Sequence, residues 1–204
     1  MEEIRITDKI SYIAASEAPL SADIGIIRTG GKTWLYDVGN GEKPISGLNG
    51  RFHVVLSHFH LDHAGNLSRM EADALYLSKW TCDHLPREAV SGNIHFVKES
   101  TTIGSLRIFP LPSSHAKGCL GMEIDETYAF VGDTLYSRTK NGRCFYNTQL
   151  LQDEIKVLKA LRCPYLLVSH FPGLIRRREE AIAELEAIYA RKTPNGSEIP
   201  WIPK

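Results

Sequence analysis

Between Leu56 and Asn66 the chain reads LSHFHLDHAGN, with His58, His60, Asp62 and His63 in the pattern H-x-H-x-D-H. Imidazoles and carboxylates are the side chains that hold zinc and other divalent first-row cations. If the backbone stays extended beyond the apolar run Val54-Val55-Leu56, His58 and His60 share one face and Phe59 turns back towards the core. Asp62 and His63 follow where the strand must end, so they can reach a second position nearby. A single histidine in such a place is ordinarily a satisfied core or turn residue. Four metal-competent side chains in one turn read as ligands instead.

Three more candidates lie far downstream. His115 sits in LPSSHAKGC, Asp133 ends YAFVGD, and His170 ends LLVSH. With these the set grows to seven residues (His58, His60, Asp62, His63, His115, Asp133 and His170), enough for two divalent cations with positions left for water or substrate. Such a pair lowers the pKa of a bound water from about 15.7 to about 7 and polarises the bond under attack. The chemistry expected is hydrolysis by metal-activated hydroxide, without a serine or cysteine nucleophile. His53, His84 and His95 have no ligand-type neighbours in sequence and receive no chemical role.

These residues need strand ends to hold them. The first half reads as short strands: IRI, ISYIAA, IGIIRT, a turn at Gly30-Gly31, then KTWLYDVGNG and the apolar run FHVVLSH. AGNLSRM and SKWTCDHL suggest short helices, with ALYL and NIHFV as strands. In the second half SLRIFPLP, CLGMEID, TYAFVGD and PYLLVSH read as strands. TQLLQDEIKVLKALR reads as a helix with Leu150, Leu151, Ile155, Leu158 and Leu161 on one face. A second helix is expected over Arg176–Lys192, starting with three arginines that oppose its dipole. VVLSHF in the first half is echoed by LLVSHF in the second. The whole suggests one domain over residues 1–204, two sheets packed together with helices outside. Residues 193–204, with three prolines, are expected to be an irregular tail.

SHFHLDHAG resembles the signature of the metallo-beta-lactamase superfamily, and Asp37 in LYDVG, His115, Asp133 in GDT and His170 follow in that family's order. The resemblance implies an α/β fold, a four-layer αββα sandwich of two mixed sheets with two metal ions at one edge. It implies that His58, His60 and His115 hold the first ion, that Asp62, His63 and His170 hold the second, and that Asp133 bridges them. Asp37 would orient the ligand loop, and Asp62 would also orient the hydroxide and carry a proton as the catalytic residue. The histidine-rich first site favours zinc, while the family also accepts iron and manganese.

The ligand set resembles the glyoxalase II, lactonase and phosphodiesterase branches, which implies a small ester, thioester, lactone or phosphodiester as substrate. The chain departs from these in two places: HAKGC replaces the usual H-T-P-G-H, and 34 residues follow His170 (204 − 170), too few for a glutathione-binding helical domain. An oxygen-reducing di-iron protein would have a glutamate in place of His60. A metal-bearing binding or sensing module without turnover, and a di-iron redox protein, are the alternatives to a hydrolase. Tyr136, Arg138, Arg143, Tyr146 and Arg176 are candidate contacts to substrate.

Composition bounds the rest. Lysine plus arginine and aspartate plus glutamate both number 24, so no long-range field draws the chain to nucleic acid or an anionic membrane. The acidic start MEEIRITDKISYIAAS lacks the pattern of a secretion signal, and no apolar run reaches membrane-span length. A cytoplasmic protein acting on a small molecule is expected. Cys82, Cys119, Cys144 and Cys163 form no C-x-x-C pair, so they read as reduced structural thiols.

Overall fold

A computed structural model describes residues 2–202 of the chain. The first half folds into β1 (Glu3–Arg5), β2 (Ile10–Ile13), the small hairpin β3 (Ser16–Glu17) and β4 (Leu20–Ser21), β5 (Ile24–Thr29), β6 (Lys32–Tyr36), β7 (Arg51–Val55), β8 (Glu71–Leu77) and β9 (Ile94–Phe96). Helices α1 (Glu42–Ile45), α2 (Leu61–Ala64) and α3 (Lys79–His84) interrupt them. The second half supplies β10 (Thr101–Ile103), β11 (Leu106–Pro110), β12 (Leu120–Ile124), β13 (Tyr128–Gly132), β14 (Arg138–Lys140), β15 (Arg143–Asn147) and α4 (Thr148–Ala160). It closes with β16 (Tyr165–Val168), β17 (Ile175–Arg177), α5 (Arg178–Tyr189) and β18 (Glu198–Trp201).

One sheet has seven strands in the order β1-β2-β5-β6-β7-β8-β9, and the other has six in the order β10-β11-β12-β13-β16-β17. Both are mixed: β6 to β9 run parallel, as do β13 and β16, while the remaining pairs are antiparallel. The hairpin turn at Gly30-Gly31 falls where the sequence places it, with Thr29 opposite Lys32.

Strand alternation sorts the apolar residues into layers. Ile27, Trp34, Tyr36, Val55 and Tyr76 from the first sheet meet Ile108, Met122, Phe130 and Leu167 from the second. Their neighbours Ile26, Leu35, Val54, Leu75 and Leu77 face the other way, under the short helices of the first half. Ala129, Val131, Leu166 and Val168 face outward from the second sheet, onto α4 and α5. Three apolar layers between four structural layers make the αββα sandwich. Asn147 starts α4 by accepting a hydrogen bond from the Leu150 amide at 2.9 Å, and Leu151, Ile155 and Leu158 repeat on its buried face. Leu150 is exposed and does not belong to that face.

Two further expectations about the elements need correction here. Residues 193–204 are not wholly irregular: Glu198–Trp201 pairs antiparallel with β15, and Ile199 is buried between the hairpin and α5. Pro200 does not prevent this because β18 is the edge of the three-stranded sheet β14-β15-β18, where a missing N–H is tolerated. Pro203 and Lys204, the end of that segment, and Met1 lie outside the described residues. The second correction is that Arg176 and Arg177 do not start a helix. They end β17, opposite Leu166 and Tyr165, and the helix begins at Arg178. Among the described residues no helix is long and apolar enough to cross a membrane.

Candidate metal centre

The parallel strands carry their carboxyl ends to one edge, where the ligand-type residues meet. Asp37 follows β6, Ser57 to His63 follow β7, His115 lies between β11 and β12, Asp133 follows β13 and His170 follows β16. Strand β7 stops at Val55, so Ser57–His60 is a loop rather than extended strand, and Asp62 and His63 occupy the helical turn α2. Phe59 consequently does not return to the core. It is half-buried beside the His60 and His84 rings.

Two clusters result. In the first, His60 Nδ1 lies 2.9 Å from His58 Nε2 and 3.0 Å from His115 Nε2. The second gathers Asp62, His63, Asp133 and His170. There His170 Nε2 is 3.1 Å from Asp62 Oδ2, and His63 Nε2 is 3.3 Å from Asp133 Oδ2. Asp133 Oδ2 is also 3.4 Å from His115 Nε2, so this carboxylate stands between the clusters. All seven sequence-derived candidates are thus brought to one place.

Buried around them is an orienting layer. Asp37 Oδ1 accepts from the Ser57 amide at 2.7 Å, while Oδ2 accepts from the Ser57 hydroxyl at 2.7 Å and from His63 Nδ1 at 2.7 Å. With its proton given to Asp37, the Ser57 hydroxyl can accept from His58 Nδ1 at 2.9 Å. This network places a proton on Nδ1 of both His58 and His63 and turns both Nε2 atoms towards the site. Ser57 has no signature of its own in the sequence; the repeated Ser-His-Phe is the only hint. Gly132 lets β13 come this close, since a Cβ there would lie 2.8 Å from Ser57 Cβ and its φ is +55°. Asp23, also unforeseen, accepts from the His170 amide at 2.9 Å and fixes that loop. Asp37 and His170 both hold left-handed backbone, φ +62° and +60°, the kind of strain that accumulates at functional positions.

The electrostatics divide along the same line. Burial, then the neighbouring histidines, pushes His58 well below the usual imidazole value; burial also lowers His60 and His115. These three imidazoles are neutral at pH 7. Burial would lower His63 too, but Asp37 and Asp133 outweigh it and hold it well above. The hydrogen bond to Asp62 raises His170. Burial raises Asp62, yet its His170 and His63 partners prevail and bring it to about 2.

The donor set fits cations. His63 Nε2 and Asp133 Oδ1 are buried without a hydrogen-bond partner. His60 Nδ1 faces two imidazole nitrogens and cannot satisfy both with a single proton. Converging lone pairs of this kind, costly when left bare, are what a bound cation satisfies.

Solved structures similar to the chain share this architecture. A B3 metallo-beta-lactamase with an active-site glutamic acid superposes with a TM-score of 0.65 at 14% identity, covering 92% of this chain and 89% of that one. An archaeal metallo-beta-lactamase superfamily protein from Sulfolobus tokodaii gives 0.59 at 16%, covering 92% and 88%. The flavodiiron protein from Giardia intestinalis gives 0.69 at 13%, covering 91% of this chain but 59% of that one. The chain has the metallo-beta-lactamase fold. No protein-family model matches the sequence, and no curated protein matches it. In this metallo-beta-lactamase fold both clusters occupy the edge between the two sheets.

The hydroxyl protons of Tyr136 and Tyr146 are engaged within the chain. Tyr136 donates to the Ser169 carbonyl at 2.8 Å and Tyr146 to the Leu135 carbonyl at 3.0 Å. Arg176 pairs with Glu184 and packs on Phe171 beside a separate cavity behind the hairpin. Arg143 is exposed on β15, whereas Arg138 lines the cleft onto which His60 and His115 open.

Proposed function

We propose that the protein is a dinuclear metal-dependent hydrolase acting on a small ester, thioester, lactone or phosphodiester. The observation that carries this reading is the pair of clusters linked through Asp133. His58, His60 and His115 would hold one ion, Asp62, His63 and His170 the other, and Asp133 would serve both. Two divalent cations, zinc being the best match to the imidazole-rich first cluster, supply Lewis acidity and a nucleophilic water at neutral pH.

The chain's own part is arrangement. Asp37 and Ser57 fix two imidazoles so that Nε2 faces inward. Asp62, held ionised beside His170 and His63, would accept a hydrogen bond from water and orient it. Burial of His58, His63 and Asp133 keeps bulk water from competing for the ligands. A di-iron redox module is the second reading, favoured by the likeness to the flavodiiron protein.

The test is protein loaded with zinc, analysed for metal and assayed on a panel of the four substrate types. About two ions per chain and turnover are expected. His58→Ala should abolish turnover while the far-ultraviolet circular dichroism is retained. Folded, metal-loaded protein that is inert across the panel would overturn the hydrolase reading. Iron with a visible absorption band in protein isolated without added metal would favour the redox one.

A further inference from the structure

The cleft of about 590 Å³ over the first cluster opens on His60 and His115 and is walled by Phe59, Trp80, His84, Lys117 and Arg138. Three of its features point to one kind of ligand. The first is an aromatic row along one wall. Phe59 and His84 have ring centroids 4.9 Å apart, and His84 stacks on Trp80 at 4.3 Å. His84 is fixed by its Nδ1 hydrogen bond to the Trp80 carbonyl at 2.8 Å, which leaves Nε2 free.

The second is charge. Lys117 and Arg138 line the cleft, and no aspartate or glutamate does so among the described residues. Asp83, the carboxylate on the same helix as Trp80, is paired with Lys79. The Lys117 ammonium lies 3.9 Å from the Trp80 ring centre, a cation–π contact that holds the charge at the end of the row. Gly118 makes this possible. A Cβ there would fall 2.5 Å from Ser78 Oγ and 2.8 Å from Trp80 Cβ, and its φ is +79°. Gly118, which HAKGC shares with H-T-P-G-H, thus lets the His115 loop sit directly on α3, and the departure at Lys117 is what brings the charge.

The third is contrast. The opening beside the second cluster, at His170, is lined by Glu17 and Asp23 and, among the described residues, by no lysine or arginine. The two openings thus differ in charge, with Lys117 and Arg138 at one and Glu17 beside the buried Asp23 at the other.

We propose that the cleft recognises an anionic, planar aromatic part of the substrate, with its charge at Lys117 and Arg138 and its ring against the Phe59–His84–Trp80 row. The placement of a scissile bond beside His60 and His115 rests on the hydrolase reading; recognition of the anion does not. The test has a binding arm and a turnover arm, both on the zinc-loaded protein. Calorimetry compares 2-naphthalenesulfonate, a weak ligand for metal ions, with the neutral methyl 2-naphthyl sulfone. The sulfonate should bind about tenfold or more tightly, and Lys117→Ala combined with Arg138→Ala should remove that preference, whereas Arg143→Ala on the same hairpin should leave it. Equal affinities for the two compounds, or a preference that survives the double substitution, would overturn the proposal.

In the second arm, 6-acetoxynaphthalene-2-sulfonate is compared with 2-naphthyl acetate. A kcat/KM ratio of about tenfold or more in favour of the anionic ester, collapsing in the double variant, is expected. Turnover of both esters at equal efficiency sinks the anion cleft and leaves the hydrolase standing. Selective sulfonate binding by a protein inert on the whole substrate panel supports the cleft and sinks the hydrolase.

Discussion

Asp37 touches no part of the open cleft, yet three hydrogen bonds converge on its carboxylate from wholly buried partners. Its effect on the ligands is through tautomer and ring orientation. Asp37→Asn places an amide where His63 Nδ1–H needs an acceptor, so metal affinity should fall about 10–100-fold, read by competition with a chromogenic chelator. Unchanged affinity would remove Asp37 from the orienting role. At this scale the ligand-type residues were legible in sequence because imidazole and carboxylate chemistry is written in residue type. Ser57 was not, because a hydroxyl becomes a relay only when Asp37 and two histidines surround it. His84 was passed over for the same reason: its neighbours Phe59 and Trp80 come from elsewhere in the loop and helix, and only folding stacks them.

At the scale of elements, α4 hides one carboxylate on its apolar face. Glu154 is fully buried, neither oxygen has a well-aligned partner, and burial holds its carboxyl well above the usual range against the weaker pull of the nearby Thr134 hydroxyl. The folded state therefore keeps a proton that the unfolded chain releases near pH 4.3, so stability is full below that value and is lost as pH rises towards the folded value. Glu154→Gln should escape this loss. Its melting temperature should match the parent near pH 4 and exceed it at pH 7–8 by about 2–4 °C for each kcal/mol recovered. A gap that does not widen with pH would refute the linkage. Most strands were legible from apolar runs and turn residues, since burial of one or both faces concentrates apolar residues in them. β17 and β18 were not, because Ile175–Arg177 and Glu198–Trp201 have little strand character of their own. They become strands by pairing with β16 and β15, and long-range pairing is invisible to a local pattern.

For the molecule as a whole, three apolar layers hold the sandwich together without help from the ligand edge. Chelation should abolish turnover while leaving the far-ultraviolet circular dichroism nearly unaltered, with a lower melting temperature that recovers when zinc is returned. Loss of secondary structure on chelation would show that the ions are part of the framework. The layered architecture was legible only coarsely, through residue patterns and the H-x-H-x-D-H resemblance, whereas the charge contrast between the two openings depends on which loops lie side by side. Each cluster, moreover, draws on both sheets: His58 and His60 need His115, and Asp62 and His63 need Asp133 and His170. A chain severed between Val97 and Thr101 would leave incomplete sets of donors on separate fragments, so reactivity would serve as a reporter of their reunion.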